Sequence, residues 1–203
     1  MSAPESRPAP EPRSPLAGHL KPGRHGAAGS RPLVLREVPA TIVELAARRG
    51  RAAELAAAVR GALALDLPPP GRGAAAAGAT ALWIQPDTWL VVAPRGTEGA
   101  LAAHLKGVAG AAGSVVDQSH GKTLLHLAGA DARAALGKGC RIDLDPAAFG
   151  PGRAAVTQMA QVGCVLYQHD DVPSFSLIVP SSYAIPFFDW LCHSAAEFGY
   201  EVP

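Results

Sequence analysis

Cysteine is scarce in this 203-residue chain: Cys140, Cys164 and Cys192 are widely spaced and belong to no C-x-x-C or C-x-x-H pair. That pattern excludes a disulfide framework and a zinc knuckle, and the apolar neighbours of each cysteine point to buried thiols in a reducing compartment. Charge of one sign is equally scarce. The formal net charge is +1 and no Lys/Arg-rich run occurs, so the electrostatic footprint of a nucleic-acid binder is missing. No uninterrupted apolar segment approaches the roughly 18 to 20 residues that a membrane helix needs. The opening "MSAPESRPAPEPRSPL" lacks the apolar core of a secretory signal. Together these absences predict a soluble, cytoplasmic protein without nucleic-acid or membrane partners.

What is present falls into two parts. Residues 1–32 alternate proline with small and charged residues and carry almost no branched apolar side chain. Such a segment cannot offset the cost of ordering its backbone, about 1–2 kcal/mol per residue, and is expected to be an extended tail that orders only on a partner. Its stretch "SPLAGHLKPGRHG", Ser14 to Gly26, sets Leu16 and Leu20 beside His19 and His25. Residues 33–203 form the expected domain. "LVLREV" and "TIVELAA", separated by Pro39-Ala40, give a hairpin-like signal. "RAAELAAAVRGAL" puts Ala52, Leu55, Val59 and Leu63 on one helical face. "ATALWIQP" and "TWLVVAP" flank a turn at Pro86-Asp87, with Trp83 and Trp89 as core aromatics. Thr97 is placed to cap a helix running to about Lys106.

The second half repeats the first in outline. "KTLLHLAG" reads as a strand, "ADARAALGKGC" as a short helix, "AAVTQMAQVGCVLYQHD" as one long or two paired strands and "SFSLIVP" as another. A last helix from Ser182 to about Phe198 carries Phe187, Leu191, Ala195 and Phe198 as a stripe, with serines to cap it. Two successive strand-helix-strand-strand units imply an α+β domain of mixed or antiparallel sheets covered by helices. A doubly wound nucleotide fold is excluded, because strands outnumber the crossovers that would make them parallel.

The stretch "DQSHGKT", Asp117 to Thr123, concentrates polar chemistry. A phosphate loop would need glycine where Val116 stands, within a strand-like run. The G-x-G-x-x-A matches at Gly71 and Gly150 follow Pro-rich loops and open no helix. A Ser/His/Asp triad fails because, on an extended chain, Asp117 and Ser119 project from one face and His120 from the other. Metal binding would need His120, His126 and His104 to converge, which nothing in the sequence demands. What remains is a polar turn between strands, with Gly121 in a backbone conformation other residues avoid and Asp117 or Ser119 bonded to nearby amides.

In order along the chain, "SPLAGH", "GRHG", "WIQPDTWLVVAP", "VVDQSHGKTLLHLAGADARAALGKGCRIDLDPAAF" and "FSLIVPSSYAIPFFDWLCHSAAEFG" resemble the gamma subunit of heterotetrameric sarcosine oxidase. The resemblance runs from about Ser14 to Gly199 and thins across 46–80. The family usually has arginine where this chain has Lys122, a change that is not equivalent if the position makes a forked contact. The resemblance implies the fold of the aminomethyltransferase folate-binding domain, in a subunit without catalytic, cofactor-binding or metal-binding residues. It further implies a bacterial complex that demethylates sarcosine to glycine, releases peroxide and passes a one-carbon unit to tetrahydrofolate. FAD, FMN and NAD would then belong to the alpha and beta subunits, zinc to the delta subunit, and this chain would pack chiefly on alpha. His19, His25, Asp117, Ser119, His120, Gly121 and Lys122 are the expected partner-facing or bracing residues, with Trp190 and Tyr200 as exposed aromatics. Two alternatives stand beside this reading: the equivalent subunit of a related N-methyl amino acid dehydrogenase, such as one acting on N-methylglutamate, and a free-standing folate-binding one-carbon protein.

Overall fold

A computed structural model describes residues 13–28 and 31–203. In chain order the first half comprises β1 (Gly23–His25), β2 (Leu33–Glu37), β3 (Ala40–Ala47), α1 (Ala52–Leu63), β4 (Gly73–Ala76), β5 (Ala79–Gln85), β6 (Thr88–Pro94), α2 (Ala100–Ala109) and β7 (Gly113–Asp117). The second half comprises β8 (Lys122–Ala128), α3 (Ala132–Gly137), β9 (Ala154–Met159), β10 (Val162–Asp170), β11 (Ser174–Pro180), a 3-10 turn (Ser181–Tyr183), α4 (Ala184–Ala195) and β12 (Tyr200–Val202).

The outlined repeat is real in three dimensions. One sheet has the order β4-β5-β6-β3-β7 and the other β1-β12-β2-β8-β11-β10-β9. Each half therefore lays a first strand, β3 or β8, beside the last strand of a three-stranded meander. Its closing strand lies on the other side, directly for β7 and with β2 interposed for β12. All pairings are antiparallel except that of β12 with β2.

Three buried clusters give the layering. Leu55, Val59 and Leu105 of α1 and α2 pack on Val43, Leu45 and Val91 of the five-stranded sheet. Phe187, Phe188 and Leu191 of α4 pack on Leu125, Phe175 and Leu177 of the seven-stranded sheet. Between the sheets, Ile42, Leu82 and Leu90 meet Leu124, Val165, Tyr167 and Ile178. Two sheets stacked face to face with helices on both outer faces result, as alternation of inward and outward apolar residues along each strand requires.

Several local expectations change. β2 and β3 are not a hairpin: β2 pairs with β8 and β12, while β3 pairs with β6 and β7. The chain steps from one sheet to the other at Val38-Pro39, where proline withholds a ladder donor. Thr97 does not cap α2. Its hydroxyl bonds to Thr41 Oγ1 and the Pro94 carbonyl, and the helix starts three residues later behind Gly99. Phe187, Leu191 and Ala195 of the α4 stripe are buried, but the helix ends at Ala195 and Phe198 packs half-buried beyond it; no serine caps the helix, and Ser181 Oγ instead lies 3.1 Å from Thr123 Oγ1. The open choice at 154–170 resolves to a hairpin whose turn residues, Ala160 and Gln161, both have positive φ.

Residues 14–26, expected in an extended tail ordered by a partner, lie on the chain's own domain. Ser14 to His19 forms a turn, Leu16 is fully buried among the residues under α4, and β1 adds to the sheet edge at β12. The sequence contains two leucines at the needed places, and one buried leucine with backbone pairing offsets ordering that composition alone does not. Gly26 fixes the exit from β1: its φ is +76° and a Cβ there would lie 2.3 Å from the Ala196 carbonyl oxygen. Residues 1–12 and 29–30 of the expected tail are outside the described residues.

Candidate functional site

The turn after β7 is held by its own polar side chains. Asp117 accepts from the Ser119 amide through Oδ1 and from the Gly99 amide through Oδ2, each at 2.9 Å. Burial pushes its carboxyl up, but the Ser119 hydroxyl and amide, the Gly99 amide and His120 outweigh that and leave the group below the ordinary range. Ser119 Oγ accepts from the Ile42 amide at 3.0 Å and is buried. Gln118 carbonyl accepts from the amides of Gly121 and Lys122, and Gly121 carbonyl accepts from the Ser181 amide. The turn thereby ties β7 and β3 of one sheet to β8 and the start of α4 on the other.

Gly121 has no positive φ, contrary to expectation. A Cβ there would lie 2.9 Å from Gln118 Oε1, the mobile end of a side chain, so a larger residue would displace Gln118 without straining the backbone. Ser119, His120 and Asp117 do not form a nucleophile relay, since the Ser119 hydroxyl is committed to Ile42 backbone while His120 projects to solvent.

His120 and Lys122 line a cavity of about 200 Å³ together with Arg13, Glu37, Arg95 and Ser181. Arg95 is paired with Glu98 at 2.6 Å, and Glu37 accepts from Ser14 Oγ. Immediately beyond Ser181, Tyr183 and Ile185 are 53 % and 43 % exposed at the start of α4. Ser181, which lines the cavity, is thus followed directly in the chain by these exposed apolar side chains.

His19 and His25 form a second, separate group. His19 Nε2 lies 2.7 Å from Asp189 Oδ1 and its ring meets Phe188 edge-on. His25 stacks on Tyr200 with ring centroids 5.2 Å apart, and its Nε2 lies 2.8 Å from the Lys21 carbonyl oxygen. Both line a cavity with Cys192 and His193. Tyr200 and Trp190, expected as exposed aromatics, are half-buried: Trp190 packs on Phe187 and Gly139.

A second histidine pair was not foreseen from the sequence. His126 and His169 have ring centroids 5.7 Å apart between the sheets. Burial, then the Arg36 and His169 charges, pull His126 down to about 4, and burial pulls His169 down as well. A histidine whose folded pKa lies below its unfolded value binds protons more readily when unfolded, so stability declines as pH falls from about 6.5 towards 4. The ring carbon proton of His126, followed by NMR, is expected to titrate near pH 4; a midpoint at the ordinary histidine value would contradict this burial.

Neither glycine motif fits a dinucleotide. The Gly71–Gly73 and Gly150–Gly152 turns lead into β4 and β9, so neither provides the helix N-terminus that a pyrophosphate requires. Among the described residues no group of three His, Cys, Asp or Glu is arranged to hold a metal ion, and no helix is long and apolar enough to cross a membrane. Cys164 is buried and Cys140 and Cys192 half-buried, and burial pushes all three thiols up, away from reactivity.

Residues 49–197 match the sarcosine oxidase gamma subunit family. Over 196 residues, covering 92 % of this chain and 91 % of the relative, the chain is 35 % identical to a sarcosine oxidase subunit gamma from Arthrobacter sp.. The chain belongs to the sarcosine oxidase gamma subunit family. The gamma subunit of Corynebacterium sp. strain U-96 is 32 % identical over 191 residues, with 92 % and 91 % of the two chains covered. In three dimensions this gamma-family chain superposes on a chain of the heterotetrameric sarcosine oxidase from Corynebacterium sp. U-96 with a TM-score of 0.78, covering 92 % of this chain and 96 % of that one. It also shares a fold with aminomethyltransferase T of the Bartonella henselae glycine cleavage system, at TM-score 0.63 and 17 % identity, covering 84 % of this chain and 47 % of that one. The family match takes in the turn at 117–122 and leaves out His19 and His25.

Proposed function

We propose that this gamma-family chain is the gamma-type subunit of a heterotetrameric sarcosine oxidase, supplying no catalytic residue and bracing the redox subunits, chiefly alpha. The observation that carries this reading is the superposition over 96 % of a chain from such an assembly at 32 % identity. Flavin, NAD, zinc and tetrahydrofolate chemistry is assigned to the other subunits, which together demethylate sarcosine oxidatively and reduce oxygen to peroxide. Residues 33–203 then give the body its shape, and residues 14–26, packed on that body, extend its surface.

The docking surface is assigned to the turn carrying His120 and Lys122 with Tyr183 and Ile185 beside it. A rim of charge around apolar anchors is what protein interfaces use, and the hydrogen bonds of Asp117 and Ser119 hold the turn rigid before docking. Lys122→Glu combined with Ile185→Asp is expected to reduce recovery of the co-expressed complex roughly tenfold, while the unfolding midpoint of the free chain stays unchanged. Undiminished recovery would refute the surface. Purified alone, the wild-type chain is expected to give no peroxide from sarcosine; turnover there would refute the bracing role.

A further inference from the structure

The inner face of the seven-stranded sheet changes character at one end. Strand register sets Arg36 opposite His126 and His126 opposite Ser176, and His169 Nε2 lies 2.7 Å from Ser176 Oγ. A row of polar side chains thus crosses four neighbouring strands where the space between two sheets otherwise selects apolar ones. The row borders a cavity of about 350 Å³, and Leu82, Val92, Leu124 and Ile178 supply apolar walls from both sheets. The Arg36 side chain makes no hydrogen bond or ion pair among the described residues, and His126 Nδ1 is buried without a hydrogen-bond partner among them. Burying the His126 nitrogen costs free energy until something pairs with it, while the exposed Arg36 places an uncommitted guanidinium on the cavity wall.

We infer that this cavity binds a small organic monocarboxylate with an apolar body, its carboxylate on the Arg36 guanidinium and beside the His126 ring, its body among Leu82, Val92, Leu124 and Ile178. The guanidinium fork matches a carboxylate, and the neutral imidazole presents one donor nitrogen to the same group. Asp170 also lines the cavity, on β10, three strands from β2 and so about 14 Å from Arg36 along the backbone at 4.7–4.9 Å per strand, and its charge reaches His126. Its charge repels an anion there, which selects one carboxylate over two and directs it towards Arg36. Burial holds His126 neutral at physiological pH, so the cavity keeps a single fixed cation.

The test titrates the full-length chain with benzoate by calorimetry and by the ring signals of its histidines. Benzoate is expected to bind saturably in about the millimolar range and to shift the ring signals of His126. Acetate, without the apolar body, and benzyl alcohol, without the charge, are each expected to bind roughly tenfold more weakly. Arg36→Gln, at an exposed position that does not threaten folding, is expected to lose about tenfold, whereas Arg60→Gln on α1 keeps wild-type affinity. No saturable binding, or equal affinity in wild type and Arg36→Gln, would overturn the inference, as would benzyl alcohol or acetate matching benzoate.

Discussion

Leu16→Ala is expected to lower the unfolding free energy of the full-length chain by about 2–5 kcal/mol, the range for truncating a buried leucine. In a chain of this size that corresponds to a fall in melting temperature of roughly 2–4 °C for each kcal/mol. The size of the effect follows from where a leader-like sequence places this side chain. Leu16 has no exposed surface and sits in the same cluster as Phe187, Phe188 and Leu191 of α4. Its backbone is fixed as well: the Leu16 amide donates to Ser14 Oγ, and its carbonyl accepts from the His19 amide. The chain therefore cannot swing the cavity closed by moving the segment away without losing those bonds. Lys21→Ala, at an exposed position of the same segment, is expected to change stability by less than about 0.5 kcal/mol. Urea unfolding of the two variants separates the readings. A Leu16 variant as stable as the Lys21 variant would return the segment to the status of a loose leader.

Arg133 is the second position where one substitution acts far beyond its own contacts. Its guanidinium donates to the carbonyls of Leu144 and Phe149 and, at 2.9 Å, to Gln168 Oε1, and it lies 5.5 Å from the ring centre of Phe175. Gln168 is fully buried, and its Nε2 donates to the Asp170 carbonyl at 2.8 Å. The long connection from α3 to β9 has no strand partner over most of its length, and between its tied ends at Cys140 and Gly152 Arg133 fastens its middle to the sheet through Gln168, beside buried Leu144 and Phe149. Arg133→Met keeps the aliphatic stem but strands these acceptors, and a loss of about 2–4 kcal/mol is expected. Arg133→Lys is expected to recover little, because one ammonium cannot reproduce a planar fork that reaches three acceptors. Hydrogen exchange across 140–150 should accelerate in both variants. A lysine variant with wild-type stability and protection would show that packing, not the fork, holds the connection.

Periodicity made some elements legible and pairing hid others. α1 could be read because Leu55 and Val59 recur at helical spacing and both are buried. The turn between β5 and β6 was visible in Pro86-Asp87, and Asp87 does adopt positive φ. β4 could not be read, since "GAAA" carries no side chain that prefers a strand and owes its conformation to pairing with β5. β1 and β12 are three-residue strands that depend on distant partners, β1 on β12 and β12 on both β1 and β2. That β2 and β3 enter different sheets is a property of partners far along the chain, to which Pro39 gives only a hint. The turn at 117–123 was visible from its Asp, Ser and Gly. What it fastens was not, because Asp117 reaches Gly99 across 18 residues and Ser119 reaches Ile42 across 77. The row from Arg36 through His126 to His169 was invisible for the same reason: cross-strand register brings together residues that no local spacing relates.

Native mass spectrometry of the assembly captured through an affinity tag on this chain, expressed in its own host, tests the proposed role most directly. The expected result is a complex of four unlike chains in which flavin remains with the other subunits after this one is dissociated. Recovery of this chain alone, or of flavin bound to it once the others are removed, would contradict it.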